Sequence, residues 1–104
     1  MSTESDPTLS FTCDFDEKTA FDVELKGYFQ HAIASLPDGR RVQVSFFDPA
    51  RLAKDLESEQ ELGRNSIGEP GLIVVPRVTV KNMLGAIKEL YHNGYFDRLS
   101  SLVR

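Results

Sequence analysis

The stretch EKTAFDVELKGYFQHAIAS, residues 17–35, decides the fold of this chain because its apolar positions fit two periods at once. With a period of two, Phe21, Val23 and Leu25 alternate with Asp22, Glu24 and Lys26, the pattern of a strand with one apolar face. Phe29, His31 and Ile33 then continue along one face, and Gly27 marks a bulge between two halves of a long strand. With helical spacing, Phe21, Leu25, Tyr28, Phe29, Ala32, Ile33 and Leu36 fall on one side. That helix would hold Gly27 in its middle, costing about 1 kcal/mol against alanine, and Thr19 and Val23 would stand outside its stripe. The small residues Ala32 and Ala34 speak against a strand, but the clean alternation over residues 20–26 outweighs them. The expectation is therefore strand.

Toward the N-terminus, Leu9, Phe11, Cys13 and Phe15 alternate with Ser10, Thr12, Asp14 and Asp16, a second period-two segment. A turn at Asp16-Glu17-Lys18-Thr19 would join the two segments into an antiparallel hairpin. Residues 1–7 are polar and without periodicity and read as a disordered tail, leaving 8–104 as a single domain.

Toward the C-terminus, Pro37-Asp38-Gly39 is a turn, since Pro fixes φ and Asp-Gly accepts positive φ. Val42, Val44 and Phe46 alternate as the next strand. Asp48-Pro49 opens a helix, with Asp capping free amides and Pro in the first turn. It should run to about Leu62 and end at Gly63, with Leu52, Ala53, Leu56 and Gln60 as a thin inner face. Gly63, Gly68, Pro70 and Gly71 predict a mobile loop, followed by a short strand from Leu72 to Val75 that Pro76 stops. Thr79 caps a last helix whose inner face is Val80, Met83, Leu84, Ile87, Leu90 and Tyr91, and Asn93-Gly94 ends it. Tyr95, Phe96 and Leu99 should fold back on the core. The sum is an α+β domain, mainly an antiparallel sheet with two helices packed on it. If residues 17–35 are helical instead, the order becomes an alternating β-α-β-α-β-α layout of α/β type.

With 104 residues and 40% hydrophobic composition, the chain can bury one core. A net charge of −4 and a pI of about 5.1 repel phosphate backbones, and no basic stripe with interleaved aromatics exists, so nucleic acid is disfavoured. The lone Cys13 permits no internal disulfide and no thiolate zinc site, which favours a reducing compartment. The N-terminus has no apolar stretch behind a basic start, and Leu72-Ile73-Val74-Val75 is far too short to span a bilayer. A cytoplasmic protein without a membrane partner is expected.

Motifs for phosphate loops, nucleophile elbows, zinc helices and CxxC pairs are missing, so neither a catalytic residue nor a cofactor nor a metal is assigned. Cys13 and His31 form a thiolate–imidazole pair if their strands are neighbours, although a cysteine beside Phe11 and Phe15 reads first as buried core. His92 in a last helical turn reads as a helix-end cap. Asp14, Asp16, Glu17, Asp22 and Glu24 read as the solvent face of the first hairpin rather than as an acid–base or cation site.

Two groups of residues are the candidates for binding. Arg40, Arg41, Arg51 and Arg77 flank one strand end and one helix start, where forked guanidinium groups would grip an anion, although Arg51 is also spaced to pair with Asp55. Glu57 and Glu61 lie on the acidic face of the Asp48–Leu62 helix, a docking surface for a basic partner. Leu72–Val75 and Phe46-Phe47 are apolar on both faces, so the side of the sheet away from the helices needs cover from a second copy, a partner or the chain's own tail. These features point to a non-enzymatic protein–protein interaction domain of adaptor, immunity or antitoxin type, bound to a protein partner or to itself. The alternative is a small enzyme or ligand-binding domain using Cys13 and His31 or the arginine cluster.

Overall fold

The structure is a computed structural model that describes residues 6–68 and 70–97. Four strands and three helices follow in the order β1 (Thr8–Phe11), α1 (Glu17–Lys26), β2 (Tyr28–Ser35), β3 (Arg41–Phe47), α2 (Pro49–Glu61), β4 (Leu72–Val74) and α3 (Val80–His92), and a further helical turn begins at Tyr95. The class is α+β. The sheet runs β1-β2-β3-β4, so its spatial order is its chain order. β1–β2 and β2–β3 pair antiparallel, while α2 carries the chain over to lay β4 parallel to β3. The sheet is mixed.

Residues 17–35 are neither one strand nor one helix, which corrects both readings of that stretch. Residues 17–26 are helical because both ends are specified. The Asp16 carboxylate accepts the Thr19 N–H at 2.9 Å, and Gly27 closes the last turn in the left-handed region at φ 81°, its N–H donating to the Val23 carbonyl at 2.9 Å. Two such ends outweigh an alternating pattern between them. The expected first hairpin and the turn at residues 16–19 do not form; Gly27 is a helix stop rather than a strand bulge. The bulge lies further on, where Gln30 and His31 together stand opposite Ser45. It shifts the phase of β2, so Phe29, Ala32 and Ala34 face inward and His31 is exposed.

One core cluster joins Phe29, Ala32 and Ala34 of β2, Val44 and Phe46 of β3, Ile73 of β4, Val23 of α1, Met83 and Ile87 of α3, and Phe96 beyond it. Phe46, Phe96, Met83, Ile87, Val44 and Val78 are fully buried. Phe11, Phe15 and Phe29 close one side, with Phe11 and Phe15 stacked at 4.3 Å. That stack turns the chain after Phe11, so β1 ends there and Cys13 is exposed; the reading of Cys13 as core is corrected. Phe96 folds back as the sequence implies, whereas Leu99 lies outside the described residues. Of the expected tail, residues 1–5 also lie outside them, while Pro7 is buried and the Asp6 carboxylate meets His92 Nε2 at 3.1 Å.

Phe47 points to the face opposite Phe46 and is nonetheless buried. Its cover is internal: Tyr28 stacks on it at 5.9 Å and the Arg51 guanidinium of α2 lies 4.2 Å over the Tyr28 ring. Tyr28 and the start of α2 thus cover Phe47 from within the chain, while Val74, its β4 partner on the same face, stays 47% exposed. Asp48 caps α2 by accepting the Arg51 N–H at 2.7 Å, and Thr79 caps α3 by accepting the Asn82 N–H at 3.2 Å, as the sequence predicts for both. In α2, Leu52 and Leu56 turn inward, but Ala53 and Gln60 are exposed, so its inner face is narrower than expected. Among the described residues, no helix is long and apolar enough to cross a membrane.

Candidate functional site: a groove along the first helix

In a strand, Phe21, Val23 and Leu25 would share a face. In α1 each residue turns about 100°, so Val23 points away from the side that Phe21 and Leu25, four apart, hold in common. Val23 is drawn into the core, and the other two are left outward, Phe21 66% and Leu25 75% exposed. Beside this ridge runs an open groove of about 640 Å³ lined by Pro49 and Ala50 of α2 and by Pro76 and Arg77 after β4, with Glu24 and Asp48 at its margin.

Two hydrogen bonds, one between backbones and one from a side chain, fix α2 against the end of α1. The Asp48 N–H donates to the Gly27 carbonyl at 2.8 Å, and the Arg51 Nη1 donates to the Lys26 carbonyl at 3.5 Å. The Asp48 carboxylate sits so close over Gly27 that a Cβ there would meet Oδ2 at 2.7 Å. Glu24 and Arg77 face each other across the margin at 3.7 Å, the outer limit of an ion pair. The groove is lined by apolar Phe21, Leu25, Pro49, Ala50 and Pro76 together with charged Glu24, Asp48 and Arg77, a setting for binding a side-chain surface.

The arginines read from the sequence do not converge. Arg40 and Arg41 stand at the start of β3, Arg51 and Arg77 beyond its far end, about 20 Å away at strand rise. Arg40 bonds Asp38 at 2.7 Å and Asp97 at 2.8 Å and also donates to the Phe96 carbonyl at 3.4 Å, clasping the helical turn that begins at Tyr95 to the β2–β3 turn. The Arg40 hydrogen bonds hold the Asp38 carboxyl below its ordinary pKa, and the two carboxylates hold Arg40 firmly protonated. Arg51 pairs with Asp55 at 3.0 Å as its spacing predicts, and Arg41 is exposed. Only Arg77 lines the groove. Glu57 and Glu61 are exposed on α2, away from any apolar anchor except Leu62, which is 69% exposed.

Cys13 and His31 do line one depression of about 340 Å³, together with Thr19, Asp22 and Lys26. No hydrogen bond joins the thiol to the imidazole. Of the hairpin carboxylates, Asp16 is the α1 cap, its pKa lowered chiefly by the Thr19 N–H, and Glu24 faces Arg77. Among the described residues, no group of three or more His, Cys, Asp or Glu side chains could hold a metal ion. The exposed pair Phe21 and Leu25 escapes sequence reading because alternation assigns both to the core; Asp16 and Gly27, one cap at each end of residues 17–26, are the signal that would have found it. Comparison with known protein families, curated proteins and solved structures finds no match to this chain.

Proposed function

We propose that this chain is a non-enzymatic protein-binding domain of adaptor, immunity or antitoxin type, and that the outer face of α1 is its contact surface. The observation that carries this reading is the Phe21–Leu25 pair, two large apolar side chains exposed one helical turn apart on the rim of an apolar groove. Interfaces concentrate their energy in a few such anchors at the centre, with charged residues at the rim, and contiguous apolar surface left in water marks a contact site. The acidic face of α2 has one exposed apolar side chain beside it, Leu62, against a pair on α1, so it ranks behind α1.

The test is site-specific photocrosslinking in the producing cell, with a benzophenone side chain at position 21, at position 57, and at neither. A discrete adduct from position 21 is expected. Adducts from position 57 alone would move the surface to the acidic helix, and adducts from neither would remove the reading.

A second reading rests on the depression that Cys13 and His31 share: a small ligand-binding or thiol site. It requires Cys13 to react with iodoacetamide faster than a free thiol. An unexceptional rate would dismiss it.

A further inference from the structure

We infer that Asn93-Gly94, where α3 ends, is a site of slow self-modification to aspartate and isoaspartate, and that the Arg40 clasp on the segment after it sets the rate. The inference does not depend on what the α1 groove binds.

The chemistry needs an asparagine side chain within reach of the next backbone nitrogen, and glycine offers that nitrogen with no side chain in the way. Gly94 N attacks Asn93 Cγ and a C–N bond forms. The Cγ–Nδ2 bond breaks, and Nδ2 leaves as ammonia with the proton given up by Gly94 N. Water then opens the succinimide at either carbonyl, giving aspartate or an isoaspartate whose main chain runs through Cβ. The balance is hydrolysis of the side-chain amide, with no oxidant or reductant. Asn93 is exposed, so water reaches it. Asn82, by contrast, lies inside α3 with Met83 after it, and its Nδ2 donates to the Arg77 carbonyl at 3.0 Å.

The folded backbone holds the reaction back. Asn93 has ψ 0°, which sets Gly94 N on the same side as Asn93 N and about a third of a turn from Cβ. Ring closure requires that turn. It breaks the bond from the Gly94 N–H to the Tyr91 carbonyl at 3.2 Å and redirects the chain that follows. That chain is held further on: Phe96 is fully buried, and Arg40 bonds the Phe96 carbonyl and Asp97. The backbone is pinned on both sides of the bond that has to rotate, so the reaction waits for the segment to lift.

Conversion then acts on those same pins. Isoaspartate lengthens the main chain by the Cβ atom just before Phe96. Either product puts a carboxylate at the negative end of the α3 dipole, beside His92, where it competes with Asp6 for the imidazole at 3.1 Å.

Incubating the purified full chain at neutral pH in heavy-oxygen water, followed by peptide mapping, tests the inference. The folded chain is expected to take up label at position 93 about tenfold or more slowly than the same chain unfolded in urea, because only the opened fraction reacts. Arg40→Gln should speed the folded reaction about threefold, the effect of an ion pair that is partly in water, and leave the rate in urea unchanged. Leu56→Ala, which weakens the chain from α2, should leave both rates as they are.

Equal rates in folded and unfolded chain overturn the inference, since nothing then restrains the reaction. So does a folded chain that takes up no label at position 93, with or without Arg40→Gln, while the unfolded chain converts. A rate indifferent to Arg40→Gln, or raised as much by Leu56→Ala, removes the clasp as its control.

Discussion

α2 and α3 are the same length, 13 residues each, and are held to the sheet in opposite ways. α3 buries Met83 and Ile87 completely against Phe46 and Phe96, whereas no residue of α2 is buried. α2 is fastened instead at its N-terminal end, by the Asp48 cap, by the bond from Asp48 to Gly27, and by Arg51 lying on Tyr28. The two faces of the sheet thus depend on different physics. One rests on apolar area removed from water, which is non-directional and spread over many contacts; the other rests on a few oriented polar contacts at one end. A thin apolar stripe is enough for a helix when its first turn is anchored.

The contrast should show most in core truncations. Ile87→Ala is expected to cost about 3 kcal/mol in urea unfolding, because a fully buried side chain leaves a cavity, while Leu56→Ala in α2 should cost under about 1 kcal/mol. Equal losses would erase the distinction between the faces. Next come two glycines with almost the same backbone. Gly71 has φ 84° and a Cβ there would strike the Gln43 carbonyl at 2.5 Å, whereas Gly63, just past α2, has φ 87° and nothing within 4 Å. Gly71→Ala should lose about 2 kcal/mol or more and Gly63→Ala only about 1 kcal/mol, since the second pays for the left-handed conformation alone. Asp48→Ala should then cost about 1 kcal/mol, the worth of a helix cap, and hydrogen exchange should rise in the first turn of α2 while α3 keeps its protection.

The smallest expected effect is with pH. Hydrogen bonds lower the Asp16 and Asp38 carboxyls in the folded chain below their unfolded value of 3.8, so folding favours their ionised forms. Their contribution is complete above that value and is lost as pH falls through the lower folded pKa. Unfolding midpoints in urea should hold level from pH 7 to 5 and decline below about pH 4, and Arg40→Gln should flatten the part due to Asp38.

How much of this was legible in the sequence follows the same division. α3 was plain because Met83, Leu84, Ile87, Leu90 and Tyr91 repeat at helical spacing over a length no other period fits, but Val80, read on the same inner face, is 43% exposed at the start of the helix. Both helix caps, Asp48 and Thr79, were readable from single residues, and so was the Arg51–Asp55 pair. Residues 17–26 read as strand because Phe21, Val23 and Leu25 alternate, although the helix buries Val23 alone; the deciding signal is at its ends, in the Asp16 and Gly27 caps. His31 was placed on the wrong face for a different reason, since one bulge inverts every residue before or after it. The groove could not have been read at all. Its walls are Pro49, Ala50 and Pro76, which carry no motif and become neighbours only when β4 is laid beside β3.

Because the strands lie side by side in the order in which they are joined, every new strand meets an edge made by its immediate predecessor. None has to be inserted between two already in place. Only the turn between β2 and β3 closes a short loop, whereas β1–β2 and β3–β4 are joined through helices, so the β2–β3 hairpin carries the smallest loop-closure cost in the sheet. Arg40 ties the turn of that same hairpin to the fully enclosed Phe96, bonding Asp38, the Phe96 carbonyl and Asp97, so the shortest loop of the sheet also anchors the far end of the described chain.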